Sequence, residues 1–483
     1  MSDFTSSHPW TLVSAGRWTR KQEFSLSARV HVPGEDGRIW DATVPVGTSW
    51  TPAIPRANFL IVEQDGGFTL LTPFDRRPLF YNWTCERLTD QLTIRWNMHL
   101  SQTFAGSTAA PDWHVQEFVT RDAAVAAYRQ WMTEAFPQPP RHRPAWAEKI
   151  PGCVLLQLWA GTGEIDHTLD ELADLLAAMH AAGVPRDTLV YFWGWFAPFD
   201  TKYPEYWPAP EVGGEAAFRR VIAAARQYGY RLMPHVNHHG FNEDVPGFAE
   251  FASDQATDAQ GNKLGWREKG EPAIEYMRPN SVRWRAHHIA KLRRFVDAFP
   301  VDAIFWDQYG MLVDDPQCDY FRYLHVFSGE LQAALPELVI TSEILSERIY
   351  DLPVWMHWGT PWCGLPVREE IPHTDLIGAL FGPLLAATYG HQGTPAAVPV
   401  PHTWPSYYWY IGHYGQPEAV RRAHAWHQGV GGVPSVRVNF REYGLDPVAL
   451  AILKGEPLSA SKDNNETTDG LDDAAYTGRN GDG

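Results

Sequence analysis

The feature that most constrains this chain is a change of texture at about residue 150. From there, short continuous apolar runs alternate with helical patterns five times in succession. GCVLLQLW (152–159), TLVYFWGW (188–195), YRLMPHVN (230–237), VDAIFWDQ (301–308) and LVITSEI (338–344) all have strand length. The stretches between them read as helices. In the first, Leu172, Leu175, Leu176 and Met179 keep the i, i+3, i+4, i+7 spacing. Thr168 and Glu171 form a capping box at its start, and Gly183 ends it. Further helices are expected at about 214–228, after Ser281, with Ile289, Leu292, Val296 and Phe299 on one face, and around 320–335. Strands apolar on both faces need cover on both, which means a parallel sheet under helices. Five such units, with chain left for three more, predict a (β/α)8 TIM barrel over 150–456. VWMHWG (353–358) is the candidate sixth strand and SVRVNF (435–440) the last.

Residues 1–120 read differently. SLSARVHV, NFLIVE, GFTLLTPF, LTIRWNMHL and WHVQEFVT are short β-rich runs separated by turn signals such as PGEDG and EQDGG. Several short strands must cover each other's apolar faces, so a β-sandwich is expected before the barrel. Residues 121–149 hold a helix, AAVAAYRQWM, and a proline-rich linker, FPQPPRHRP. Residues 457–483 are polar and poor in apolar side chains, the composition of a disordered tail. No internal repeat is evident.

Charge narrows the partners. Lys and Arg number 40 against 57 Asp and Glu, a net charge of −17, and no basic stripe stands out. Such a surface repels phosphate backbones and anionic membranes, so neither nucleic acid nor membrane is expected as a partner. The four cysteines, Cys85, Cys153, Cys318 and Cys363, are scattered, without the pairing of a disulfide framework or zinc site. The N-terminus lacks the pattern of a signal peptide, and no apolar run reaches the ~18 residues of a membrane helix, so a cytoplasmic location is expected. The informative excess is aromatic: 22 Trp, 19 Tyr and 23 Phe. Flat amphipathic rings suit the C–H faces of sugars, although any one of them is more simply explained as core.

In a (β/α)8 barrel the chemistry sits at the C-terminal strand ends. The second strand ends in Trp193 and Trp195, with Asp200 beyond; the third ends in His235, Asn237 and His238. The fourth ends in Asp307, followed by Tyr309, and the fifth in Glu343. Asp307 shares a face with Phe305 and Ala303, and a charge ending a buried strand must be paired, solvated or functional. Glu343 repeats the pattern on the next strand. Neighbouring strands lie ~5 Å apart, which matches the ~5–5.5 Å between the carboxyl groups of retaining glycosidases. His235, Asn237, His238 and Asp200 suit sugar hydroxyls; Trp193, Trp195, Trp358 and Tyr309 suit the rings. Two rival readings stand beside this one: a metal-dependent hydrolase using His235 and His238, and a carbohydrate-binding barrel without catalysis.

An Asp ending the fourth strand and a Glu ending the fifth, in IFWDQYG and ITSEIL, resemble the α-amylase superfamily and the endo-α-N-acetylgalactosaminidases. MPHVNHH is similar to the third-strand motif of α-amylases, and a sandwich joined to the barrel by a helix is similar to the galactosaminidase relatives. In texture, YFWGWFAPFDTKYPEY most resembles uncharacterised bacterial glycosidase-like barrel proteins. The resemblance implies a retaining glycosidase for an α-linked sugar, with Asp307 as nucleophile, Glu343 as acid/base, and an oligosaccharide or glycoside as substrate. It implies no cofactor and no metal. The pattern departs from α-amylases at Phe305, which stands where they carry an Arg, and at their seventh-strand Asp, for which Asp375 in PHTD is only a candidate counterpart, so the resemblance implies an α-linked sugar other than starch.

Overall fold

The computed structural model describes residues 10–350 apart from 15, 34–38, 52–56, 78, 103, 105, 140, 143, 149, 267–272, 312 and 343–345, and beyond them 376, 380, 435–438, 440–445 and 447–456. Glu343, the candidate sixth strand with Trp358, Asp375 and the tail at 457–483 lie outside the described residues.

Ten strands precede the first long helix: β1 (Thr11–Ser14), β2 (Arg17–Ser25), β3 (Arg29–His31), β4 (Ile39–Trp40), β5 (Ser49–Trp50), β6 (Leu60–Gln64), β7 (Gly67–Thr72), β8 (Leu79–Arg87), β9 (Gln91–Leu100) and β10 (His114–Phe118). They form two antiparallel five-stranded sheets, in the orders β1-β2-β9-β8-β5 and β10-β7-β6-β3-β4. Alternate residues of β8 are buried, and Tyr81, Trp83 and Cys85 meet Trp96 and Ile94 of β9. Val30, Leu60, Val62 and Leu71 of the second sheet join the same core, so the period-2 pattern is what brings the two sheets together. The outer face of the second sheet is covered by α1 (Arg121–Ala135), whose Thr120 cap accepts from the Ala123 N–H. Val125, Tyr128 and Met132 of α1 pack on Phe59, Ile61 and Leu70.

The parallel sheet begins with β11 (Cys153–Gln157), β12 (Leu189–Trp193) and β13 (Arg231–Asn237). A small three-stranded antiparallel sheet follows: β14 (Gly240–Asn242), β15 (Gly265–Trp266) and β16 (Ile274–Tyr276). Then come β17 (Ala303–Asp307), β18 (Val339–Ser342) and β19 (Ser435–Arg437). The six parallel strands run β18-β17-β13-β12-β11-β19, so the last described strand lies beside the first. Between them lie α2 (Leu169–Ala181), α3 (Gly214–Tyr228), α4 (Val282–Ala298) and α5 (Tyr320–Ala334). The α/β alternation thus holds for the described part; closure of the sheet depends on the chain between β18 and β19.

The strands are apolar on both faces because both faces are buried. Val154, Leu156, Val190, Phe192, Val236, Ile304 and Trp306 face the helices. Leu155, Tyr191, Trp193, Met233, Ala303 and Phe305 form a second cluster on the opposite face, with Trp146 and Ala147 from a short 3-10 helix (Ala145–Glu148) packed against it. Thr168 caps α2 through a complete capping box with Glu171, a feature that contributes about 1 kcal/mol. Truncating a fully buried side chain such as Leu172 to Ala would cost about 2–5 kcal/mol. Among the described residues, no helix is long and apolar enough to cross a membrane.

Candidate active site

The register of the parallel sheet sets the site. β13 pairs with β17 so that His235 is opposite Phe305 and Asn237 opposite Asp307. Residues two apart share a face, so His235 and Asn237 continue the line of Met233, and Asp307 that of Phe305. Both strand ends therefore deliver polar groups on the side of the Tyr191–Met233–Phe305 cluster.

Asn237 is the hinge of this cluster. Its Nδ2 donates to Asp307 Oδ2 at 2.8 Å and lies 3.0 Å from Gln308 Oε1. Its Oδ1 accepts from the backbone N–H groups of His239 (3.0 Å) and Gly240 (2.7 Å), which fixes which end of the amide points at Asp307. Tyr206 holds the backbone of the same residue: its hydroxyl donates to Asn237 O at 2.7 Å.

His235 is buried between two phenols. Tyr191 Oη lies 2.8 Å from Nδ1 and Tyr203 Oη 2.9 Å from Nε2. Tyr203 also donates to Asp200 Oδ1 at 3.0 Å. Burial, then the nearby Asp200 and Asp307 carboxylates, pushes the Tyr203 phenol well above its ordinary pKa, so it stays a neutral hydroxyl. Burial raises Tyr206 likewise. His235 Nε2 stands 3.9 Å from Asp307 Oδ2. One atom each of Asp200, His235 and Asp307 lie within 4.8 Å of one another, the set from which a cation would draw its ligands.

The backbone around this cluster departs from the usual regions. Asp200, Lys202 and Gln308 have φ of 61°, 62° and 56°. Left-handed non-glycine residues cost free energy and tend to gather at functional sites. Gly194, at the end of β12, also has a positive φ of 70°, and a Cβ there would collide with the Trp159 backbone.

The other candidates from sequence fall in distinct places. Trp193 lies in the cluster with Tyr191 and Phe199, on the site's side of the sheet. Trp195 lies on the helix side, against Phe218 and Phe295, and its indole N–H donates to His235 O at 2.8 Å. Tyr309 is fully buried and stacked on Trp306 (4.7 Å), with its hydroxyl donating to Leu324 O at 3.1 Å. His238 is also fully buried; its Nδ1 lies 3.0 Å from Asp307 O, and burial lowers its pKa to about 3. It stands outside the Asp200–His235–Asp307 group. Sequence reasoning missed Tyr191, Tyr203, Tyr206 and Gln308. The segment DTKYPEY, which carries Asp200, also carries Tyr203 and Tyr206, and proximity to Asp200 was the available signal.

A family profile described as a domain of unknown function, DUF6259, matches residues 103–321. No curated protein sequence matches this one. Solved structures do. The α-galactosidase TtGalA from Thermus thermophilus, in complex with stachyose, superposes with a TM-score of 0.58 at 13% identity, over 93% of this chain and 96% of that one. The fold is shared with glycoside hydrolases. The α-N-acetylgalactosaminidase NagBb from Bifidobacterium bifidum, in complex with GalNAc, gives a TM-score of 0.57 at 14% identity, covering 76% of this chain and 69% of its own. A cycloalternan-degrading enzyme from Trueperella pyogenes gives 0.55 at 14% identity, over 92% and 66%. At these identities the likeness is one of fold, to glycosidases of a distant type.

Proposed function

We propose that this chain is a retaining glycoside hydrolase for an α-linked sugar, with Asp307 as nucleophile and Glu343 as acid/base. The observation that carries the reading is the placement of Asp307. It ends a buried parallel strand, its carboxylate is gripped by Asn237, and Asp200 and His235 stand beside it. The fold-level likeness to an α-galactosidase and an α-N-acetylgalactosaminidase points to the same reaction class.

The architecture we propose is a β-sandwich over 1–120, a helix and linker over 121–149, and a closed (β/α)8 barrel over 150–456. The pairing of β19 with β11 supports closure, because a barrel needs its last strand beside its first. In this reading the site lies at the C-terminal mouth.

The reaction is a double displacement. Asp307 attacks the anomeric carbon as the glycosidic C–O bond breaks, and Glu343 gives its proton to the leaving oxygen. Water then attacks the glycosyl-enzyme, Glu343 takes a proton from it, and the Asp307 carboxylate is released. Asn237 orients Asp307 and Asp200 accepts from sugar hydroxyls, while Trp193 is fully buried behind the site against Tyr191 and Phe199. The substrate is an oligosaccharide or glycoside, and no step needs a cofactor. Hydrolysis assays on paired α- and β-linked 4-nitrophenyl glycosides test the reading. Release of nitrophenol from an α-glycoside only, lost in Asp307→Asn, is the expected result; turnover undiminished in Asp307→Asn would overturn it.

One observation favours a second reading. Asp200, His235 and Asp307 present three ligand atoms within 4.8 Å, as a metal-dependent hydrolase would. Either nitrogen of His235 would first have to leave a tyrosine hydroxyl. That competition is why the metal-free route is preferred here.

A further inference from the structure

We infer that Tyr203 is the positioning residue of Asp200, and that His235 acts on Asp200 through Tyr203. The inference rests on the glycosidase reading and adds what sets substrate recognition in it.

The direction of the hydrogen bonds follows from counting protons. An ionised Asp200 only accepts, so the hydroxyl proton of Tyr203 is committed to Asp200 Oδ1 at 3.0 Å. Toward His235 Nε2, at 2.9 Å, Tyr203 must then accept, so Nε2 carries the proton. In a neutral imidazole Nδ1 is then bare and accepts from Tyr191 at 2.8 Å. The chain runs one way: Tyr191 to His235 to Tyr203 to Asp200. Burial and the two neighbouring carboxylates keep the Tyr203 phenol protonated, as this chain requires.

Packing holds each link. The imidazole is stacked on Phe305 and edged by Phe199, with centroids 5.6 Å and 5.2 Å away, so the ring plane is set. Asn242 of β14 fixes the loop: its Oδ1 accepts from the Tyr203 N–H at 2.8 Å, and its Nδ2 reaches Asp200 O at 3.4 Å. Tyr203 and Asn242 are both fully buried. Asp200, by contrast, lies on a loop with left-handed backbone, and an aspartate there has rotamers to lose. Tyr203 selects the one that puts its carboxylate beside Asp307. A carboxylate held in that orientation reads hydroxyl donors on the sugar. His235, wrapped in tyrosines and aromatic rings, sets the orientation from behind.

Two measurements test this. The first needs no turnover. In protein labelled with 15N-histidine, with the His235 signal assigned by its loss in His235→Gln, long-range 15N–1H couplings report the tautomer. The Nε2–H form is expected in the wild type. In Tyr203→Phe the Nε2–H loses its acceptor, and a shift toward the Nδ1–H form is expected. A wild-type Nδ1–H form, or no change in Tyr203→Phe, overturns the chain. The second uses the 4-nitrophenyl α-glycoside that the wild type turns over fastest. Tyr203→Phe is expected to lower kcat/KM about tenfold to a hundredfold, the scale of a hydrogen bond to a charged group. The loss should lie mainly in KM, with kcat within about threefold, because Asp200 grips ground and transition states alike. In an Asp200→Asn background the same change should cost less than about twofold, because the two residues act as one unit. Equal losses with and without Asp200 overturn the positioning role. If no aryl glycoside is turned over, the glycosidase reading falls, and the tautomer measurement still decides the chain.

Discussion

Asn237 donates from Nδ2 to Asp307 Oδ2 at 2.8 Å while its side-chain oxygen Oδ1 accepts from the N–H groups of His239 and Gly240. The amide therefore cannot turn without breaking two backbone contacts. It is a fixed donor aimed at a carboxylate, set by the register that pairs β13 with β17. Removing it as Asn237→Ala takes away a hydrogen bond to a charged group, about 1.5–3 kcal/mol. A fall in kcat of about tenfold to a hundredfold is expected. Asn237→Asp should be worse, because it places a like charge against Asp307. Steady-state kinetics on an aryl α-glycoside would check both. Equal kcat for wild type and Asn237→Asp would mean that Asp307 is not the reacting group.

Stereochemistry tests the role of Asp307 directly. A double displacement returns the α-anomer from an α-glycoside. Proton NMR of the first-formed sugar, before mutarotation, should show it. A first-formed β-anomer would mean inversion, and Asp307 would have to give up the nucleophile role. Glu343→Gln should slow substrates with poor leaving groups far more than activated aryl glycosides, since only the former need the proton.

The period of the apolar pattern carried much of this into view. Strands buried on both faces, read from runs such as AIFW before Asp307, place Asp307 and Asn237 at strand ends and on faces that alternation alone assigns. Their mutual contact was not legible, because register belongs to the sheet and not to either strand. Trp193 and Trp195 show how alternation fails. Two residues apart, they read as neighbours on one face, but β12 stops at Trp193 and Gly194 turns left-handed, so Trp195 swings to the helix side. Tyr203 and Tyr206 lie in a loop without period, where a buried phenol leaves no pattern. The strands β14 to β16, of two or three residues each, are too short to show one.

The seam between the first and last described strands has its own pH dependence. Arg441, just past β19, donates to both carboxylate oxygens of Glu171 on α2, at 2.8 and 2.7 Å. The Arg441 contact lowers the Glu171 pKa from 4.5 to about 2, against burial, with help from Thr168. A depressed carboxylate pKa contributes stability above pH 4.5 that is lost as pH falls toward about 2. The pair is partly exposed, so about 0.5–1 kcal/mol is its scale. Arg441→Ala should lower the thermal midpoint by about 1–3 °C at pH 7. The difference from wild type should shrink as the pH drops from 4.5 to 2. A difference that stays constant over that range would mean the arginine acts through packing alone.

Metal dependence separates the two chemical readings. Asp200, His235 and Asp307 are close enough to ligate one cation, with ligand atoms within 4.8 Å. Zinc held at ~2.0–2.2 Å from each ligand atom spans at most ~4.4 Å, so atoms at the full 4.8 Å would have to draw together to bind it. It would also need an imidazole lone pair. Nε2 faces Tyr203 and Nδ1 faces Tyr191, so binding must displace a buried phenol from a buried ring. A displaced buried hydroxyl that finds no new partner costs about 1–3 kcal/mol. Asp307 would in addition share its charge between the metal and its attack on the sugar. Dialysis against EDTA should therefore leave turnover of an aryl α-glycoside unchanged, and added zinc should not raise it. Calorimetric titration of zinc into the dialysed protein should show no tight site that Asp200→Asn removes. Loss of activity on dialysis, restored by zinc and absent in Asp200→Asn, would establish the metal-dependent hydrolase in place of the glycosidase.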